Sequence, residues 1–184
     1  LSVLIACLRQ IVGILAVIRG SFRPQRMTRF LLFLVSLLLV GTLFAQGDRN
    51  AIYTILTIAI GNLIMFLLSL RKGIGGTTRF DFFVLLTAII TLIVWKTTDN
   101  HVLGLCMAIA TNFVAFWPTI IKAWCLPETE EWVFYALYAL SSILVILSIS
   151  NFTFGKLALP AYVVFMNGML ALIIIFRKNI LRNK

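Results

Sequence analysis

Residues Phe116 to Trp132 read FWPTIIKAWCLPETEEW and set a proline inside an apolar run shortly before that run reaches charged residues. A proline inside a helix removes one backbone hydrogen bond and presses on the carbonyl a turn earlier. In a membrane it persists where neighbouring helices or a cavity satisfy the freed group. Pro118 is therefore a candidate hinge, and the PETEEW that follows reads as a turn on the cytosolic side.

Outward from this stretch, composition points to the compartment. The 184 residues are 61% hydrophobic and 12% charged, with a mean hydropathy of +1.06. A soluble surface needs about a quarter charged residues. The chain is thus expected to be an all-α integral membrane protein. A membrane helix takes about 20 apolar residues, so the length holds roughly seven or eight spans and no soluble domain. The apolar runs lack the alternation of a membrane barrel. A net charge of +10 would suggest nucleic acid in a soluble protein; here basic flanks hold helices at the cytosolic surface, and no nucleic-acid partner is expected. Cys7, Cys106 and Cys125 form no CxxC pair and no ligand cluster with the single His101, so they read as packing residues. Neither enzyme chemistry nor a metal or cofactor is expected. Arg9 interrupts the first apolar run and no small-residue cleavage site follows it, unlike a signal peptide.

Seven apolar runs follow in order: about 1–18, 30–45, 51–70, 80–95, 102–124, 132–149 and 157–176. They are separated by RGSFRPQRMTRF, the tight turn GDRN, a basic glycine loop after Leu70, KTTDNH, PETEEW and the polar patch Ser150 to Lys156. Pro160 is expected in the first turn of the seventh helix, with RKNILRNK as a basic tail. Seven crossings gather Arg19, Arg23, Arg26, Arg29, Arg71, Lys72, Arg79, Lys122 and the carboxy-terminal cations on one face. The other face keeps Arg49, Lys96 and Lys156. That asymmetry puts the amino terminus outside and the carboxy terminus in the cytosol.

Sliding the chain by 103 residues aligns IRGSFRPQRMTRF with IKAWCLPETEEWV, so runs one to three map onto five to seven. Run four is left over. A fourth crossing is what a chain needs before repeating a three-helix unit in the same orientation, which divides it into 1–72, 73–100 and 101–184. The string Pro118-Thr119-Ile120-Ile121-Lys122, with Thr129-Glu130 after it, resembles the PQ-loop signature of a Pro-Gln-hydrophobic-hydrophobic-Lys run followed by a Ser-Thr-Glu turn. Thr119 stands where that signature has Gln. Pro24-Gln25 lies in a loop rather than in the preceding helix, so the motif covers only the second half. The chain thus resembles the PQ-loop and SWEET transporters of the MtN3 clan, which implies two parallel three-helix repeats joined by a linker helix, in a 3+1+3 arrangement.

One strongly polar residue falls near the middle of each odd-numbered run: Arg9, Asn62, Asn112 and Asn167. Arg9 lies ten residues before Arg19, about 15 Å from that helix end. Polar groups at this depth are costly unless they face partners or water, so a shared central cavity is expected. The resemblance implies that Asn62 and Asn167 bind sugar, and an amide suits the hydroxyls of a neutral solute. A single membrane asparagine more often ties helices together, for about 0.6 kcal/mol. Arg9 has no carboxylate at its depth. It is satisfied by carbonyls and amides such as Asn112, awaits an anionic group, or snorkels outward from a helix that starts later.

These observations lead to a facilitative alternating-access carrier of a sugar or other small polar metabolite, since no buried acid is visible for proton coupling. The competing expectation is a non-transporting receptor or accessory subunit, the role a related fold has in the KDEL receptor. Expected partners are a small solute and membrane lipid, and a homo-oligomer is compatible. Tyr135 and Tyr138 are available for stacking on a solute. Arg26 and Arg29 could form an ion-pair gate with Glu128, Glu130 and Glu131, although solvated turns are the plainer expectation. His101 is expected in an outer turn, and Asn151-Phe152-Thr153 fits a glycosylation sequon near the membrane.

Overall fold

A computed structural model of the chain describes residues 2–46, 49–75, 79–98 and 101–182. Among them the chain forms seven α-helices and no named strand: α1 Ser2–Arg19, α2 Arg26–Gln46, α3 Arg49–Lys72, α4 Arg79–Thr98, α5 His101–Cys125, α6 Trp132–Leu147 and α7 Phe154–Arg182. A single 3-10 turn, Pro127–Thr129, lies between α5 and α6. The expected turn residues Gly47, Asp48, Asp99 and Asn100 fall outside the described residues, as does the end of the glycine loop at 76–78. Two helical segments, Val102–Cys125 and Phe154–Arg182, are long and apolar enough to cross a membrane.

Several boundaries differ from the expected ones. α2 begins at Arg26 rather than near Phe30, which moves Arg26 and Arg29 from a loop into the first helical turns. α7 begins at Phe154, so Pro160 sits inside the helix instead of in its first turn. Its last residues carry the basic tail onward as helix to Arg182, because RKNILR combines good helix formers with cations suited to a helix C-terminus. Cys106 and Cys125 are exposed, not packed, and all three thiols are free.

α1 ends on Gly20, whose φ of +83° is the left-handed conformation that glycine adopts without strain. The reversal turns Phe22 inward, where it is fully buried. The main core runs from Ala16 and Val17 of α1 through Phe22, Met65 and Phe116 to Phe134 and Tyr135 of α6. It ends on Met166, Leu170 and Ile174 of α7. A smaller cluster of Leu31, Val84 and Ala115 joins α2, α4 and α5.

The contacts between helices follow a simple rule. α1 rests on α3 and α6, α5 rests on α7 and α2, and α2 and α6 pack on α3 and α7 respectively. α4 lies against α5 and touches α2. The ends of α1, α3, α5 and α7 meet at one pole of the bundle. There Gln25 pairs with Ile74 in an isolated bridge, the Arg23 amide donates to the Thr129 carbonyl (2.8 Å), and Lys178 donates to the Glu130 carbonyl (2.9 Å).

The α1–α6 seam is close because Gly13 has no side chain: a Cβ there would lie 2.5 Å from the Phe134 ring. Gly13→Ala is accordingly expected to force the two helices apart and destabilise the fold by about 1–3 kcal/mol, the range for overpacking. A clear fall in the thermal midpoint of the purified protein checks this; an unchanged midpoint would show that the ring has room to move.

Candidate functional site

Polar side chains buried in apolar helices must find partners, and following those partners divides this interior into three places. The first is the pole where the basic turns meet. Lys122, in the last turn of α5, donates to Glu130 Oε1 at 2.7 Å and also to the Arg23 carbonyl. Tyr135 of α6 donates its hydroxyl to the second carboxylate oxygen at 2.8 Å. Phe22 lies beside Phe134 and Tyr135, with ring centroids 5.4 and 6.2 Å away. Burial pushes the Glu130 carboxyl up from its ordinary value, while the Lys122 ammonium and the Tyr135 hydroxyl pull it back. The expectation of solvated acidic turns fails for Glu130, which is fully buried, and its partner is Lys122 rather than Arg26 or Arg29. The reason is local: the 3-10 turn folds residue 130 back beneath the end of α5. Glu128 does remain exposed.

The second place is a cavity of about 90 Å³ beside this cluster, sharing Phe134 and Tyr135 with it. α2 supplies Thr28 and Arg29, α5 supplies Asn112 and Thr119, α6 adds Tyr138, and α7 contributes Tyr162 and Asn167. The Tyr162 hydroxyl donates to Asn112 Oδ1 at 3.0 Å, and Asn167 Nδ2 donates to the Val163 carbonyl one turn back at 2.9 Å. Thr28 donates to the Ala115 carbonyl (3.2 Å) and lies 3.4 Å from the Thr119 hydroxyl. Pro118 leaves the adjacent Val114 carbonyl without its helical donor. The α2 hydroxyl thus lies on the carbonyl next to the freed one.

The third place is a pair of seams around the middle of α1 and α3. Arg9 is buried, so it does not snorkel. Its guanidinium lies 3.4 Å from the centroid of the Tyr138 ring, and Nη1 reaches Ser141 Oγ at 3.5 Å. Asn112 is not its partner. Arg9 Nε and Nη2, both amide atoms of Gln10 and the Asn62 Oδ1 are buried with no hydrogen-bond partner. Asn62 Nδ2 binds Ser36 Oγ at 2.6 Å and the Leu32 carbonyl at 3.3 Å, tying α3 to α2.

The four mid-helix polar residues therefore do not all converge. Asn112 and Asn167 share the cavity; Arg9 stands behind Tyr138, and Asn62 lies in the α2–α3 seam. Arg29, Thr28 and Tyr162 were not among the expected site residues. Pro24 just ahead of a polar Gln25 was the available signal, because it marks a helix start that puts Arg29 a full turn inside α2.

No family model matches this chain, and neither a curated protein nor a solved structure matches it.

The ion pair at the pole has a measurable signature. Removing one member leaves the other charge buried and unpaired, which costs about 3–5 kcal/mol, whereas replacing both by apolar residues is often near neutral. Glu130→Gln should lower the thermal midpoint sharply, and Lys122→Met combined with Glu130→Leu should recover most of the loss. A double variant less stable than either single one would show that the two side chains act independently.

Proposed function

We propose that the chain is a multi-pass membrane carrier for a small polar solute. In this reading two three-helix units, α1–α3 and α5–α7, are joined by α4, and the cavity is the solute chamber. The observation that carries the reading is the cavity itself, a pocket with polar side chains set in a largely apolar wall, formed where α2 of one unit meets α5, α6 and α7 of the other. A docking subunit would more economically have a dry, packed seam there. Three further features support it.

With α4, which packs on α5 and α2 alone, set aside, the contacts among the other six helices map onto themselves when α1 is exchanged with α5, α2 with α6 and α3 with α7. That is the relation expected of two like-oriented repeats that rock against each other, and it accords with the resemblance to PQ-loop and SWEET transporters. Exposed Phe82, Phe83 and Ile93 on α4 and Phe165, Leu172 and Phe176 on α7 form apolar surface suited to lipid. Basic residues at the pole of the Lys122–Glu130 pair favour a cytosolic location for it. Phe22 and that pair then act as the inner gate, and Pro118, one turn after the Ala115 carbonyl that Thr28 of α2 holds, is the bend about which α5 moves. The absence of a carboxylate from the cavity wall among the described residues favours facilitated movement over proton coupling.

Counterflow in proteoliposomes, with a panel of polyols, amino acids and short carboxylates, tests the assignment. Asn112→Ala and Asn167→Ala should each slow flux by about tenfold, the equivalent of one hydrogen bond near 1.4 kcal/mol. Asn62→Ala should lower the melting temperature and leave flux nearly unchanged, because Asn62 bonds α2 instead of the chamber. Full flux in both cavity variants, or no flux of any solute in the parent protein, would remove the carrier reading.

A further inference from the structure

Arg29 is the group in the cavity wall that the protein does not satisfy. It is only 5% exposed, and an arginine stays protonated under any physiological condition. Among the described residues its guanidinium has no hydrogen bond and no ion pair. Its neighbours are the faces of Phe22 and Phe134, at 5.3 and 4.9 Å from the ring centroids. Such faces return about 0.5–2 kcal/mol, against several for removing the charge from water. The one buried carboxylate among the described residues, Glu130, is held by Lys122 and Tyr135. Among the described residues the interior thus holds three buried cations, Arg9, Arg29 and Lys122, and one buried anion.

The rest of the cavity narrows what would supply the missing charge. Asn112 Nδ2 and Asn167 Oδ1 make no hydrogen bond among the described residues, so a free amide donor and a free amide acceptor accompany the guanidinium. Leu32, Phe116, Val163 and Met166 line the remainder with hydrocarbon. The volume, about 90 Å³, suits a small solute. A bare inorganic anion would leave the apolar wall uncovered.

We propose that the cavity binds a short monocarboxylate bearing a hydroxyl group, of the size of lactate, with its carboxylate on the Arg29 fork and its hydroxyl between Asn112 and Asn167. The assignment rests on reading the cavity as the carrier's chamber. A planar guanidinium grips a carboxylate through two parallel N–H donors, so Arg29 sets the charge selectivity while the asparagines select the hydroxyl.

The test is a thermal-shift titration of the purified protein with sodium lactate, lactamide, sodium nitrate and sodium chloride at equal ionic strength, since a ligand bound only by the folded state raises its melting point. Lactate should give a saturable rise and the other three should not. Arg29→Gln should weaken the lactate response by at least about a hundredfold, the equivalent of a charged hydrogen-bonded contact near 3 kcal/mol. Should Arg29→Gln fail to fold, Asn112→Asp serves instead: a carboxylate placed inside the cavity should raise the melting point without ligand and abolish the lactate response. Equal shifts with lactate and lactamide would overturn the proposal, as would an unaltered response in Arg29→Gln or in Asn112→Asp. An equal response to nitrate would replace the carboxylate with a simple anion and overturn it too. Lactate binding without lactate counterflow would sink the carrier reading and leave the anion site standing; polyol counterflow with no lactate shift would do the reverse.

Discussion

A carboxylate that water does not reach can hold its charge only against a cation and with its oxygens hydrogen-bonded, and Glu130 meets both conditions through Lys122 and Tyr135. Meeting them requires four segments to be in place together. Lys122 comes from the end of α5, Tyr135 from the start of α6, the carbonyl that shares the ammonium from Arg23 in the first turn, and the cation on the Glu130 carbonyl from Lys178 of α7. Phe22 fills the space beneath them. The contact therefore locks the two halves of the bundle at one pole, and any motion that separates the halves there must first break it.

The basic residues of that pole are doing more than marking a side. Helices α1, α3, α5 and α7 all end there, each presenting carbonyls without helical donors and the negative end of its dipole. Lys72 donates to the Ile18 carbonyl (2.6 Å), Arg26 to that of Ser69 (3.1 Å) and Arg177 to that of Trp124 (2.9 Å). Each cation closes the end of a helix other than its own. Much of the positive charge is thus absorbed into the joints between helices, and Arg29, which finds no such carbonyl, stands apart from the others.

Pro118 and the cavity are likewise neighbours. Thr28 of α2 donates to the Ala115 carbonyl, within a turn of Pro118, and Thr28 and Thr119 are cavity-lining hydroxyls. Thr119 is short enough to leave room beside it. A bend at Pro118 consequently changes the shape of the space that Asn112 and Asn167 border.

Much of this was legible from residue order. Apolar run lengths indicated seven helices, charge placement indicated which ends share a pole, and the depth of Asn112 and Asn167 along their helices was read correctly. Depth follows from counting residues at a fixed rise per residue, which a sequence supplies directly. The direction in which a side chain leaves the helix axis was not legible. Ordinarily an apolar stripe reveals the inward face; here Leu67, Ile93, Ile121 and Leu172 are exposed while Arg9, Asn62 and Lys122 are buried, so hydrophobicity does not separate inside from outside. Only tertiary packing decided that Asn62 faces Ser36, that Arg9 lies under Tyr138, and that Arg29, counted by its position as a surface cation, is sealed against two phenylalanine rings. Sequence determined the number and order of the helices and their shared basic end, because those depend on local composition. Packing determined which polar groups meet, because that depends on the rotation of each helix about its own axis.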